Sequence, residues 1–373
     1  MLRIAVRSLI HDRSRLLAAL AGVAFAGLLT AVQSGLYEGF LYTTSSIVTR
    51  MGGDVWVTAK GVRVIDNMEP LSAGTRSTVL QHSCTVRARP LVLAFSWVRT
   101  REGSRENVRI VGTENGEPYM PWELARGLPT DLAAPMRVAV DELDLKRLGI
   151  HDGPIGDSLA IMNKRAYIGA VSRRARSFTL LPFIFASVDD ARRMTQFSDG
   201  EVSAWVVDLR DPACASDVVR MIERNPELRA WRADELRVET QRFWMESSGA
   251  GAILGFSALM GLLVGGVIVG QTLYSAVRDH EPELATLRAI GASPWRVARF
   301  VGWQALFLTV VGGAAGIVAA LGLGVLAARG GMEMIFSPAV ILKSVLVLIG
   351  MASFASALSV RRVLAMEPAK VFR

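Results

Sequence analysis

Four long runs without a formal charge constrain the fold of this chain more than any other feature. The runs span 16–37 with 22 residues, 247–277 with 31, 300–328 with 29 and 344–360 with 17. A helix needs about 20 apolar residues to cross roughly 30 Å of hydrocarbon. The fourth run is short, so we expect its helix to begin before Lys343, whose amine can reach the membrane interface. The sequence therefore predicts four transmembrane helices.

The basic residues predict how these helices are oriented. Twelve of the 42 lie next to the apolar runs, in 1–15, 278–299 and 361–373, and the positive-inside rule places such segments in the cytoplasm. An even number of spans keeps both termini on that side. This arrangement accounts for the formal net charge of +8 and argues against nucleic-acid binding. Ala24-Phe25-Ala26 is typical of a signal-peptidase site, but the apolar run continues beyond it, which favours a membrane anchor.

We predict a membrane protein with four transmembrane α-helices, arranged one plus three, and a large α/β periplasmic domain inserted between helices 1 and 2. The expected localisation is the bacterial inner (plasma) membrane. The predicted segments are a cytoplasmic N-terminus (1–15), helix 1 (16–37), the periplasmic domain (38–246), helix 2 (247–277), a cytoplasmic region (278–299), helix 3 (300–328), a periplasmic loop (329–336), helix 4 (337–360) and a cytoplasmic tail (361–373).

Alternating apolar residues separated by turn residues predict short strands in the inserted domain. The predicted strands are Asp54–Thr58, Val108–Val111, Val138–Val140, Asp157–Met162, Ala166–Val171 and Val202–Leu209, and the predicted helices are Val140–Leu148, Val188–Gln196 and Ala215–Asn225. The apolar run Phe178–Ala186 is either a buried core segment or a surface patch for a lipid or partner. Cys84 and Cys214 both fall in this domain, and the sequence leaves open whether they form a disulfide.

Glycines recur with small-xxx-small spacing in the predicted helices 2 and 3. The pairs are Gly251/Gly255, Gly261/Gly265, Gly266/Gly270 and Gly312/Gly316. Such spacing allows helix backbones to approach closely in lipid. Packing within one chain and association of two copies both agree with it.

No catalytic or metal-binding motif is evident, and we expect this chain not to be an enzyme. The four histidines lack metal-ligand spacing. Gly265–Thr272 has the spacing of a phosphate-binding loop, but Gln271 stands where the lysine is required and the segment lies in a predicted span. We expect no metal or cofactor in this chain.

The cytoplasmic stretch 278–299 predicts a short amphipathic helix. Pro282 suits its first turn, Leu284, Leu287 and Ile290 recur at helical spacing, and Gly291 suits its C-terminal stop. Ser293-Pro294 then predicts the start of the next helix. Periodicity leaves open whether this helix rests on lipid headgroups or docks into a partner protein.

The stretch 280–292, with the sequence HEPELATLRAIGA, resembles the signature of the MacB/FtsX/LolC-type permease family. The Phe243-Trp244 pair, the run 267–274, the proline-containing tail 361–372 and helix 1 are similar to the DevC-like permeases of DevBCA-type exporters. In the outer domain, Val138–Ile161 resembles a core segment of the wider family.

The resemblance implies a permease whose short helix couples to a separate ABC ATPase subunit, which would bind ATP and Mg²⁺. The residues it implicates in coupling are Glu281, Glu283, Leu284, Leu287, Arg288 and Gly291. It also implies a second permease copy in a homodimer, mechanotransmission to the outer domain, a periplasmic adaptor and a TolC-like outer-membrane channel. The implied cargo is a lipid, glycolipid or other amphipathic molecule. FtsX-like regulation of a periplasmic enzyme and LolC-like extraction of lipoprotein or lipid are the alternatives.

Overall fold

The computed structural model describes residues 13–114, 122–151, 153–175, 177–179, 181–279, 286 and 293–365. The contacts within the chain divide it into two compact units. Residues 1–40 and 249–373 belong to one unit, and residues 41–248 form the other.

The secondary-structure elements follow in chain order. The helices are α1 (Arg13–Thr44), α2 (Ser46–Met51), α3 (Thr75–Val79), α4 (Val188–Arg193), α5 (Ala215–Ile222), α6 (Ala233–Ser247), α7 (Ala250–Asp279), α8 (Pro294–Arg329) and α9 (Pro338–Ala365). The strands are β1 (Val55–Ala59), β2 (Thr85–Arg99), β3 (Arg105–Thr113), β4 (Leu124–Arg126), β5 (Arg137–Asp141), β6 (Ser158–Ile161), β7 (Lys164–Ser172), β8 (Phe183–Ser187), β9 (Ala204–Leu209) and β10 (Leu228–Arg232).

Four of these helices, α1, α7, α8 and α9, are long and apolar enough to cross a membrane. The predicted fold class is confirmed, because the mixed α/β unit lies between the first and second of these helices. Lys343 is exposed in the second turn of α9, a position from which its amine can reach an interface.

The helical unit has a core of small and branched apolar side chains. It includes Val23 and Ala26 of α1, Val269 of α7 and Leu308 of α8. Gly312 and Gly316 of α8 face α1 so closely that a Cβ at Gly316 would lie 2.2 Å from the Ala24 carbonyl oxygen. This pair packs within one chain, whereas a Cβ at Gly255, Gly266 or Gly270 of α7 would meet no heavy atom of the described residues within 4 Å.

In the described residues of the other unit, ten strands form one sheet. Its main path runs β10-β1-β9-β2-β3-β8-β5-β7-β4, and β6 pairs with both β2 and β7. Strands β2, β3, β8, β5, β7 and β6 therefore pair in a closed ring, while β10, β1 and β9 extend the sheet from β2. Non-polar residues of all six ring strands belong to one core cluster, which Leu148 and Met194 complete. Closure removes free edges from this part of the sheet.

A second cluster covers the opposite face of the sheet. Leu93 and Phe185 from the strands meet Trp56, Ile47 of α2 and Leu236 of α6 there. Phe183, Phe185 and their strand neighbours are buried in β8, between β3 and β5. The buried-core interpretation of Phe178–Ala186 is therefore confirmed for its second half.

One predicted helix is wrong. Val140–Leu148 begins as the end of β5 and continues as turns. Asp141 explains the difference, because its buried carboxylate accepts hydrogen bonds from the backbone N–H of Leu143 (3.2 Å) and Ala175 (2.8 Å). Side chains of this type offer the backbone an alternative to helical bonding.

Cys84 and Cys214 form a disulfide with a Cα–Cα distance of 6.5 Å. Cys84 lies just before β2, and Cys214 immediately precedes α5. The bridge links positions 130 residues apart in the chain. The question that the sequence left open is therefore answered by the fold.

Candidate functional site

The site predicted from the sequence lies in the connection between α7 and α8. Its residues all fall outside the described part of the chain: Glu281, Glu283, Leu284, Leu287, Arg288 and Gly291. Their roles remain predictions. The structure describes Thr286, which is exposed, and both flanks of the connection.

The two flanks are the membrane-length helices α7 and α8. The ends of these helices next to the connection carry basic and aromatic side chains. Arg278 is exposed in the last turn of α7. Helix α8 begins with Ser293 at its N-cap and Pro294 in its first turn, as the sequence predicts. The Arg296 backbone N–H donates to the Ser293 carbonyl at 2.9 Å, and Trp295 is 74% exposed. An exposed tryptophan beside arginine is typical of a membrane-water interface.

Close helix packing and one buried amide mark the bundle next to this connection. A Cβ at Gly22 of α1 would lie 2.7 Å from Thr272 Oγ1 of α7. Gln304 of α8 is 2% exposed, and within the described chain its amide atoms have no hydrogen-bond partner. The structure therefore places α1 against both α7 and α8.

The described residues contain no group of three or more His, Cys, Asp or Glu side chains suited to a metal ion. The Gly265–Thr272 stretch, with its phosphate-loop spacing, lies inside helix α7. A phosphate-binding loop instead precedes a helix and presents free backbone N–H groups. His82 has a structural role, since its Nδ1 accepts the Cys84 backbone N–H at 3.2 Å.

A partly buried polar bridge connects α6 to the sheet, and the sequence did not predict it. The indole Nε1–H of Trp244 donates to Asp66 Oδ2 at 2.7 Å. The other oxygen of Asp66 accepts from Nη1 of Arg109 in a close ion pair. Sequence inspection singled out Phe243-Trp244 but gave no signal for Asp66 or Arg109, which lie 178 and 135 residues from Trp244.

Arg109 is deeply enclosed for a charged residue. Its side chain is 2% exposed, and Nη2 donates to the Ile65 carbonyl oxygen at 3.2 Å. Its guanidinium carbon lies 5.0 Å from the ring centroid of Phe95. On the other side of the bridge, the rings of Trp244 and Phe178 lie 4.2 Å apart. We name Trp244, Asp66 and Arg109 the α6 bridge.

Residues 255–368 match the model of the FtsX-like permease C-terminal family. The matched range includes most of α7, all of α8 and α9, and the predicted coupling residues between them.

Two relatives match 72 residues of the chain. The pyoverdine export ATP-binding/permease protein PvdT of Pseudomonas syringae pv. syringae is 42% identical there. The protein of the same name from Pseudomonas savastanoi pv. phaseolicola is 40% identical. Each match covers 19% of this chain and 11% of the relative, so the chain matches about a tenth of the length of these curated relatives.

Two solved structures were found similar to about half of the chain. The periplasmic region of MacB from Actinobacillus actinomycetemcomitans gives a TM-score of 0.38 at 11% identity, covering 50% of this chain and 91% of that one. The extracellular domain of the noncanonic ABC-type transporter YknZ from Gram-positive bacteria gives 0.37 at 9%, covering 48% and 99%. These scores are low, and the similarity that supports a family is therefore the sequence match. Residues 255–368 are similar to the FtsX-like permease C-terminal family.

Proposed function

We propose that this chain is the membrane subunit of an ABC exporter and transmits the motion of a separate ATPase subunit to its α/β unit. The observation that carries the proposal is the FtsX-like match across α7, α8 and α9, combined with an α/β unit inserted after the first span. In this arrangement the chain hydrolyses no ATP, and ATP and Mg²⁺ are bound by the partner subunit.

The connection between α7 and α8 is the proposed docking element. Leu284 and Leu287 supply its apolar face, Glu281 and Glu283 stabilise the helix N-terminus, and Arg288 stabilises its C-terminus. Gly291 ends the helix. Because the connection lies between two membrane-length helices in the chain, we expect a displacement of it to act on both.

The proposed assembly contains two permease copies and two ATPase subunits in the bacterial inner membrane, with the chain termini in the cytoplasm. A periplasmic adaptor and a TolC-like channel would continue the path outward, as in DevC-like systems. The names of the two relatives include pyoverdine export and an ATP-binding part, which favours export over regulation of a periplasmic enzyme. The proposed cargo is an amphipathic molecule.

The test compares two charge insertions in the docking element. Leu287→Asp places a carboxylate on the apolar face, and Ala285→Asp places one about 160° away around a helix of 3.6 residues per turn. Each variant is co-expressed with the ATPase encoded beside it, purified in detergent and reconstituted into nanodiscs. The amount of ATPase retained and the rate of ATP hydrolysis are then measured.

We expect the native chain and Ala285→Asp to retain the ATPase. Leu287→Asp should lose it, because an unpaired charge in a desolvated contact costs several kcal/mol. Equal retention and hydrolysis in both variants would show that this helix does not dock. A neighbouring gene for a peptidoglycan hydrolase, with no adaptor gene, would favour the regulatory alternative.

A further inference from the structure

The α6 bridge lies at the point where the chain leaves the α/β unit for α7. Helix α6 ends at Ser247 and α7 begins at Ala250. Gly249 between them has a φ of +73°, which interrupts the helix in a conformation that glycine adopts readily. The last turn of α6 is therefore separated from the start of α7 by two residues, Ser248 and Gly249.

Helix α6 is attached to its own unit by contacts of different kinds. Leu236 and Thr240 are fully buried. Gln241 Nε2 donates to the Leu41 carbonyl oxygen at 3.0 Å and to Ser45 Oγ at 2.9 Å, which holds α6 beside the end of α1. Trp244, one turn further on, donates to Asp66. Of these contacts, the one through Trp244 is nearest to α7.

Asp66 continues the connection to the ring of strands. Its second oxygen pairs with Arg109, which belongs to β3. Strand β3 pairs with β2 on one side and with β8 on the other. The bridge therefore joins the last turn of α6 to β3, one of the strands of the closed ring. Both of its links are hydrogen bonds to the same carboxylate, that of Asp66.

The chemistry of the bridge is unusual for a purely structural contact. Buried ion pairs are often no more stabilising than apolar residues of the same volume. Arg109 also leaves its Nε without a hydrogen-bond partner among the described atoms, which adds a desolvation cost. In return, directional bonds to both oxygens of Asp66 fix the position of α6 relative to β3 more narrowly than apolar contacts can.

We infer that the α6 bridge is the element that transmits displacement of α7 to the ring of strands, with Asp66 as its central positioning residue. This inference depends on the proposed function, because it needs a nucleotide-driven movement to transmit. It adds to that function the residues through which the movement enters the sheet.

The experiment uses Trp244→Phe in the permease-ATPase complex in nanodiscs. This change removes the N–H donor and keeps an aromatic ring against Phe178. The matched control is Trp205→Phe, because Trp205 on β9 donates a similar bond to Thr75 Oγ1 at 2.8 Å and does not contact α6 through it. Hydrogen-deuterium exchange is measured by mass spectrometry without nucleotide and with ATP plus vanadate.

In the native complex we expect nucleotide to change exchange both in α6 and in β3. In Trp244→Phe the change in α6 should persist and the change in Arg105–Thr113 should be lost, while ATP hydrolysis continues. Exchange in 62–69 without nucleotide should rise roughly tenfold, as for the loss of one hydrogen bond to a charged acceptor. Trp205→Phe should keep the native nucleotide response, although its melting temperature falls.

A rescue variant separates the role of the donor from that of the ring size. Trp244→His keeps a ring N–H at a similar distance from Cβ and should restore part of the response in β3. If Trp244→Phe retains the full native response, the bridge does not transmit and the inference is overturned. If the native complex itself shows no nucleotide response in α6 or β3, the proposed function fails, and the inference fails with it.

Discussion

Replacing Gly316 by alanine should separate α1 from α8. A Cβ at Gly316 would lie 2.2 Å from the Ala24 carbonyl oxygen and 2.7 Å from the Leu28 nitrogen. Both are backbone atoms of α1, so no side-chain rotation can relieve the contact. Ordinary van der Waals separations begin near 3.4 Å, and α8 must therefore move away by about 1 Å, a gap that forfeits a quarter to a half of each contact energy.

The expected loss in the free energy of unfolding follows from the contacts between α1 and α8 that this movement weakens. Gly312 approaches Val23, and Gly27 approaches Gly313, along the same interface. We expect Gly316→Ala to lower the free energy of unfolding of the helical unit by about 1–3 kcal/mol, the usual range for overpacking. Gly322→Ala is the matched control in the same helix, because a Cβ at Gly322 would meet no atom within 4 Å in the described part of the chain. Alanine is the better helix former by about 1 kcal/mol, so this control should be neutral or slightly stabilising.

The assay is thermal unfolding of the full-length chain in detergent, followed by intrinsic tryptophan fluorescence. The chain forms two compact units, and the transition of the α/β unit serves as an internal reference. Gly316→Ala should shift the helical transition alone. Equal transitions for Gly316→Ala and Gly322→Ala would show that α1 and α8 do not pack as described.

Two further predictions concern the α/β unit. Replacing Cys84 and Cys214 together by serine opens a link across 130 residues and should lower the stability of this unit by about 2–5 kcal/mol; an unchanged melting temperature under non-reducing conditions would contradict this. Asp66→Ala leaves Arg109 buried without its partner and should cost about 3–5 kcal/mol, measured by urea unfolding. The exposed Asp217 is the control, since Asp217→Ala should change stability by less than about 1 kcal/mol, and equal losses for the two variants would refute the assigned burial.

The sequence was sufficient to predict the membrane-spanning helices, because their signal is local. A run of about 20 uncharged, apolar residues must either cross a membrane or be buried inside the protein. Residues elsewhere in the chain do not alter that requirement. The glycine spacing was less informative. Gly266/Gly270 and Gly312/Gly316 have the same spacing, yet among the residues that the structure describes, a Cβ would touch another helix at the second pair and not at the first. The difference depends on which face the neighbouring helix covers, and spacing along one helix does not contain that information.

The strands were predicted where alternation is regular and were missed where it is not. β2 is the clearest case, since Pro90 interrupts its 15 residues and proline within a run argues against a strand. The order of the strands could not be predicted, because β1 pairs with β9 and β10, more than 140 residues away. The ring closure through β6 is equally non-local.

The candidate functional residues were likewise predictable where they are close in sequence and not where they come from distant parts of the chain. A continuous stretch of residues predicts the docking element between α7 and α8, because the caps, the apolar face and the family resemblance all lie within it. The α6 bridge is assembled from Asp66, Arg109 and Trp244, which come from a loop, a strand and a helix. A tryptophan near a predicted membrane span is commonly read as an interfacial anchor. Only the fold shows that its indole N–H is donated to the partly buried carboxylate of Asp66.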